Sequence, residues 1–219
     1  DFIYEYIGME LTLDMLAITG TSEDPDKFAL SVKKASELTT KPLILCNHDP
    51  IAMRKALEEV ADKRPLIHGA TATNWKDMAD LSLEFDCPIV AYAPQDRNTL
   101  KSIIHTLEEY GINDIVMDPG TEPNTYQSAN IENFTILRWQ SINEEEEHLG
   151  YPLLSAPMAA WATEAEDPLI NEWNEAALAA LCITRFADAL IVHGISGWAL
   201  LPQVILRSNI YTDPRKPVS

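Results

Sequence analysis

The feature that most limits what this chain can fold into is one repeated unit: a short apolar run rich in β-branched residues, a polar stop, then a helical period. The runs fall at 13–18, 42–46, 65–68, 88–93, 114–118, 151–156 and 187–193. Near-continuous apolar runs fit strands buried on both faces, as parallel sheets require, and parallel neighbours need a crossover between them. Leu100, Ile103, Ile104 and Leu107 follow the helical i, i+3, i+4, i+7 rule, as do Trp173, Ala176, Ala177, Ala180 and Leu181. One apolar stripe per helix predicts one face packed on the sheet. Seven such units at barrel-like intervals, against the eight strands of a closed β/α barrel, predict a TIM-type α/β barrel lacking its first strand–helix unit in this chain. Residues 2–7 with 11–13 read as a short hairpin entering the barrel. The domain reading is one barrel over 1–213, with 214–219 beginning a linker to a C-terminal domain.

The polar stops carry the functional information. They read Leu45-Cys46-Asn47-His48, Ile67-His68-Gly69-Ala70-Thr71, Ala93-Pro94-Gln95-Asp96 and Met117-Asp118-Pro119-Gly120. Parallel strands place their C-terminal ends on one face, so these residues are expected to line a single polar mouth. Asp24-Pro25, Asp49-Pro50 and Asp167-Pro168 read instead as helix starts: the carboxylate caps orphan N–H groups, and proline is at home in the first turn. Gly111 reads as a helix terminator, and Glu144 to Glu147 as a solvated helix exit. Asp118 differs from the capping aspartates because a turn, Pro119-Gly120-Thr121, follows it; site residue and loop brace are both open. Gly194-Ile195-Ser196-Gly197 precedes the last helix, where barrel enzymes often hold phosphate, but Ser196 as a helix cap is the plainer reading. Trp198, Leu200 and Leu201 read as barrel packing.

Composition narrows the ligand class. A formal net charge of −18 and a pI near 4.5 argue against nucleic acid and anionic membranes as partners. No run approaches the roughly 18 apolar residues that span a bilayer. Cys46, Cys87 and Cys182 are isolated, offering neither a zinc cage nor a cluster's thiolate set, and suit a reducing cytoplasm.

The order of motifs resembles the gamma (large) subunit of the corrinoid iron–sulfur protein in acetyl-CoA decarbonylase/synthase complexes. The resemblance rests on Pro42-Leu43-Ile44-Leu45-Cys46 followed by Asp49-Pro50, and on Arg64-Pro65-Leu66-Ile67 followed by Ala70-Thr71-x-x-Asn74-Trp75. It continues through Phe85-Asp86-Cys87-Pro88, Asp114-Ile115-Val116-Met117-Asp118-Pro119-Gly120-Thr121 and Asn133-Phe134-Thr135. It closes on Trp198-Ala199-Leu200-Leu201-Pro202 and Asn209-Ile210-Tyr211-Thr212-Asp213-Pro214. The resemblance implies a central barrel similar to pterin-dependent methyltransferases. It also implies a four-cysteine [4Fe-4S] module and a cobamide (corrinoid) domain on flanks this chain does not contain, so no cofactor is expected on this chain alone. The implied activity is methyl transfer between methyltetrahydropterin and a corrinoid. The implied partners are the small (delta) subunit and the rest of the complex.

Methyl transfer from a pterin needs the ring held in line and its N5 protonated or hydrogen-bonded, since an unassisted nitrogen leaves poorly. Amide and carboxyl groups suit the pyrimidine edge of a pterin. Asn47 and Asp118 are therefore the candidate catalytic residues, with Asn47, His68, Gln95, Asp118 and His193 as candidate ligand-binding residues of the mouth. His48, His68 and His193 raise a rival, a metal-dependent hydrolase, but the His-x-His pair of such barrels is absent and no metal ligand is assigned. A third reading is an assembly platform without chemistry of its own, which an exposed apolar patch at the mouth would favour.

Overall fold

A computed structural model describes residues 3–6, 9–22, 24–123, 127–162 and 167–207. β1 (Ile3–Tyr6) and β2 (Met9–Thr12) form the expected antiparallel hairpin, in register Ile3↔Thr12; its second arm starts two residues earlier than predicted, and Phe2 and Ile7 lie outside the described residues. Then β3 (Leu16–Thr19), β4 (Leu43–Cys46), β5 (Leu66–Ala70), β6 (Ile89–Tyr92) and β7 (Ile115–Asp118) pair in parallel and in chain order. A parallel bridge, Met117↔Leu153, leads on to β8 (Leu154–Ser155), which pairs with β9 (Ala189–Leu190). Seven parallel strands therefore follow one another around the sheet among the described residues, at the seven predicted runs. The linker assigned to 214–219 and the Asn209–Pro214 motif lie outside the described residues.

The helices are α1 (Pro25–Leu38), α2 (Pro50–Val60), α3 (Trp75–Phe85), α4 (Arg97–Glu109), α5 (Gln127–Asn143), α6 (Pro168–Thr184) and α7 (Gly197–Arg207). Their starts follow local chemistry. Asp24 accepts from the Asp26 N–H at 3.0 Å, Asp49 from Ile51 at 3.0 Å and Asp167 from Leu169 at 2.9 Å, each with proline in the first turn. Gly111, at φ +97°, ends the run of α4 as expected.

Strand alternation sorts the core into two layers. Leu43, Leu45, Ile67, Ile89, Ala91, Ile115, Met117 and Leu153 belong to the core shared with the helices, against Ala52, Met53, Ala56 and Leu57 of α2 and Leu100, Ile103, Ile104 and Leu107 of α4. The intervening positions Ile44, Val90 and Leu154, with Leu66 and Val116 beside them, form a second cluster inside the sheet's curve. Full burial of one such aliphatic side chain contributes roughly 1.5–3 kcal/mol, so the two layers fix the register on which the mouth depends.

Two expectations need correcting. The stripe Trp173, Ala176, Ala177, Ala180 and Leu181 is not the packed face of α6: Trp173 is 65% exposed, and the buried residues are Asn171, Glu172, Glu175, Leu178, Ala179 and Cys182. Trp198 is also exposed, at 43%, and stacks on Trp173, whereas Leu200 is buried as expected. The last two strands are shorter than their apolar runs because carboxylates take backbone N–H groups around them. Asp188 accepts from Leu153, and Glu175 accepts from His193 and Gly194.

Candidate functional site

One pleat beyond the inner apolar layer, four strands end on chemistry-bearing side chains: Cys46 of β4, His68 of β5, Tyr92 of β6 and Asp118 of β7. Their positions follow from parity, each lying two residues after Ile44, Leu66, Val90 or Val116. Cys46 is opposite His68 and Tyr92 opposite Asp118 in the strand registers. His68 and Asp118 meet directly: His68 Nε2 lies 2.9 Å from Asp118 Oδ2. Asp118 Oδ1 accepts the Gly120 N–H at 2.8 Å, and the side chain is only 1% exposed. Asp118 thus braces its loop and faces the mouth through His68. A carboxylate only accepts, so the shared proton belongs on Nε2, and Nδ1 is the His68 nitrogen left to exchange one.

An aromatic wall completes the site. Tyr92 lies 5.3 Å from the His68 ring and stacks on His48 at 5.4 Å and 19°. His48 Nδ1 approaches the Gly69 carbonyl at 3.4 Å. Desolvation by its neighbours holds the His48 imidazole below its ordinary range, with the Gly69 carbonyl acting in the opposite sense. Burial, then the charges of Asp118 and Glu122, pushes the Tyr92 phenol up. Burial, then Asp118, pushes the Cys46 thiol up to about 12. Both groups therefore stay neutral at ordinary pH. Thr121 Oγ1 and Ser155 Oγ share a bond of 2.9 Å, and Thr121 Oγ1 accepts the Ala156 N–H, tying β7's turn to β8.

Glycine is required at two points. Gly120 has φ +80°, and a Cβ there would lie 2.5 Å from Pro94 Cα. At Gly20 a Cβ would come within 2.3 Å of Asn47 Nδ2, so Gly20 makes room for that amide.

The predicted residues divide accordingly. His68 and Asp118 come together. Asn47 is one residue past the inner position of β4, and its Oδ1 accepts the Asp49 N–H at 2.9 Å. Gln95, at φ +58°, joins an amide network at the side: its Nε2 donates to Asn130 and its Oε1 accepts from Asn133, whose Oδ1 takes Arg97. Asn133 of the Asn133-Phe134-Thr135 motif thus serves loop geometry, while Phe134 is fully buried in the core. Likewise Asn74 holds Thr71 through its Oδ1 and the His48 carbonyl through its Nδ2, at 2.6 and 2.9 Å.

His193 belongs to another cluster, edge-on to Trp161 at 4.7 Å. Its N–H donates to Glu175 Oε1 at 2.5 Å, and the Gly194 N–H donates to Oε2 at 2.7 Å. Ser196 N–H donates to Glu172 at 3.0 Å. The backbone donors that a phosphate would use are thus occupied by carboxylates of α6. His48, His68 and His193 do not converge as a metal-ligand set among the described residues.

Tyr92, Glu172 and Glu175 escape a reading of the strand stops. Tyr92 was findable by parity from Val90; the two glutamates resemble a solvated face. The thiols do not fit an iron–sulfur cluster. Cys46 ends β4, Cys87 lies between α3 and β6, and Cys182 is on α6, and burial pushes them up to about 12, 11 and 11, where thiolate is scarce.

The architecture is shared with solved barrels. Dihydropteroate synthase from Xanthomonas albilineans, in complex with 7,8-dihydropteroate, matches with TM-score 0.67 and 19% identity over 92% of this chain and 80% of that one. The Thermus thermophilus enzyme matches with TM-score 0.65 and 18% identity, over 90% of this chain and 83% of that one. These likenesses establish the TIM-barrel fold. In sequence, the chain is 41% identical over 220 residues to acetyl-CoA decarbonylase/synthase complex subunit gamma 2 of Methanosarcina thermophila, covering 100% of this chain and 47% of that protein. The gamma subunit of Archaeoglobus fulgidus is 41% identical over 214 residues, 97% of this chain and 45% of that protein. The chain thus spans about half the length of these relatives. A family model described as the CO dehydrogenase/acetyl-CoA synthase delta subunit matches residues 1–219, the whole chain. The chain therefore belongs to the CO dehydrogenase/acetyl-CoA synthase delta-subunit family, alongside relatives named as gamma subunits of the acetyl-CoA decarbonylase/synthase complex.

Proposed function

We propose that this barrel takes part in methyl transfer between a methyltetrahydropterin and a corrinoid, as one portion of a cytoplasmic acetyl-CoA decarbonylase/synthase complex that also contains a small (delta) subunit. The observation that carries the reading is the buried His68–Asp118 pair at 2.9 Å beside the Tyr92 and His48 rings. Support comes also from the similar dihydropteroate synthases, solved with 7,8-dihydropteroate and with pteroic acid.

In transfer toward the corrinoid, the pterin N5–methyl bond breaks, its electron pair stays on N5, and a proton is taken up there. The corrinoid is the methyl acceptor, carried outside this chain, and supplies the electron pair of the new bond. What this chain contributes is position and a proton. Tyr92 and His48 offer a flat surface for the ring. His68, held through Nε2 by Asp118, presents Nδ1 to give or take the N5 proton. Asp118 acts through His68 and is a positioning residue. Asn47 contributes its remaining amide hydrogens at the rim.

The test is equilibrium titration with methyltetrahydropterin, followed by methyl transfer to free corrinoid. His68→Gln is expected to lower transfer about a hundredfold or more, the usual range for a general acid, with smaller loss of binding. Equal transfer in His68→Gln sinks the assignment.

A second reading, a docking platform, is favoured by one observation. Leu169, Ile170, Trp173 and Trp198 line an apolar cleft at the N-terminal ends of α6 and α7, on the mouth side of the barrel. Loss of small-subunit binding in Trp173→Glu, with pterin binding absent in the parent, would favour it.

A further inference from the structure

At the opposite end of the barrel, the last turns of α4 meet the turn that leads to β8. His105 and Glu108 are one helical turn apart on α4, and His148 lies in a 3-10 turn over Glu147–Leu149. Their ligand atoms all lie within 4.8 Å of one another. The His105 and His148 rings are 5.4 Å apart and edge-on, and His148 Nδ1 bonds directly to Glu108 Oε2. We propose that His105, Glu108 and His148 form a binding site for a divalent transition-metal ion of the zinc class, which staples α4 to the segment entering β8.

The ligand chemistry sets the ion class. Two imidazoles and one carboxylate suit zinc and its neighbours, whereas magnesium and calcium take all-oxygen sets. Ligand bonds of about 2.0–2.2 Å place tetrahedral ligand atoms roughly 3.3–3.6 Å apart, so small side-chain rotations close the set on an ion. The outer sphere is already built. The Tyr151 hydroxyl donates to Glu108 Oε1 at 2.8 Å, fixing the carboxylate with its other oxygen toward the two histidines. Lys101 holds Glu146 at 2.8 Å, docking the same turn on α4, and Leu149 is 1% exposed. Glu109 lies 3.4 Å from His105, adding negative charge beside the cation. Without an ion the same contacts serve as His–Glu pairs, so the experiment must separate the two.

The chain is stripped with chelator and titrated with Zn2+ against a chromophoric competitor; cobalt substitution then reports geometry by its visible bands. One equivalent of tight Zn2+ is expected, weakened about a hundredfold in His105→Gln/His148→Gln and about tenfold in Tyr151→Phe. Zn2+ should raise the melting temperature of the parent and leave that of the double variant unchanged. These residues lie on the surface or its edge, and the metal-free melting temperature of each variant checks its folding. Equal Zn2+ affinity in parent and double variant, or only weak binding to many carboxylates, overturns the proposal.

Discussion

Replacement of Glu175 by glutamine probes the device that shapes one side of the mouth. Glu175 is 2% exposed and accepts three hydrogen bonds: from His193 N–H at 2.5 Å, Gly194 N–H at 2.7 Å and Trp161 Nε1–H at 3.0 Å. A glutamine oxygen keeps the Gly194 and Trp161 donors, but its NH2 group then faces the His193 N–H, donor against donor. One charge-assisted bond of about 1.5–3 kcal/mol is lost and two fall toward neutral strength, each by about 1 kcal/mol. Burying an amide instead of a charge offsets part of this. The expected net loss is about 2–4 kcal/mol in urea unfolding of the chain. Trp161 fluorescence, isolated by comparison with a Trp161→Phe background, should report loosening before the global transition. Glu172→Gln, at 9% exposure, keeps its one contact because the amide oxygen still accepts the Ser196 N–H; only the charge assistance is lost, at a cost of about 1 kcal/mol. A Glu175→Gln variant within about 0.5 kcal/mol of the parent refutes the reasoning, as does a Glu172→Gln effect of equal size.

Other positions make independent predictions. Gly120→Ala forces a Cβ against Pro94 at positive φ and should cost about 2–4 kcal/mol, combining overpacking with backbone strain; the midpoint of urea unfolding measures it. Burial, then the charge of Asp118, pushes the folded Cys46 thiol from its ordinary value up to about 12. The folded state therefore holds the proton more tightly, and the stabilisation, complete below pH 9, is lost as pH rises toward 12. Cys46→Ala should flatten that part of the pH–stability curve relative to the parent. At pH 8 native Cys46 should react with a thiolate-selective reagent far more slowly than after unfolding, since only about one thiol in ten thousand is ionised; equal rates contradict the assignment.

Much of the barrel is legible in the residues. The seven apolar runs locate the strands because burial on both faces leaves little room for polar interruption. The three Asp-Pro starts locate α1, α2 and α6 because cap and proline act locally. The site is less legible because its membership depends on strand parity. Moving one residue along β4 exchanges the inner Cys46 for Asn47, and Tyr92 hides at the end of an apolar run while the more visibly polar Gln95 belongs to a loop network. The face of α6 reads backwards for another reason. Hydrophobic patterning assumes that charges seek water, yet Glu172 and Glu175 are drawn inward by backbone donors of the 193–196 loop that lack strand partners. The tryptophans displaced by that choice, Trp173 and Trp198, then stack together at the rim.

The central claim is that the mouth built on His68 and Asp118 receives a methylated pterin. Its most direct measurement is calorimetric titration of the chain with methyltetrahydropterin, repeated on Asp118→Asn and Tyr92→Ala. Saturable one-to-one binding is expected, weakened about tenfold or more by loss of the Tyr92 ring and accompanied by altered proton uptake in Asp118→Asn. Absence of binding by a folded chain, or binding indifferent to both substitutions, contradicts it.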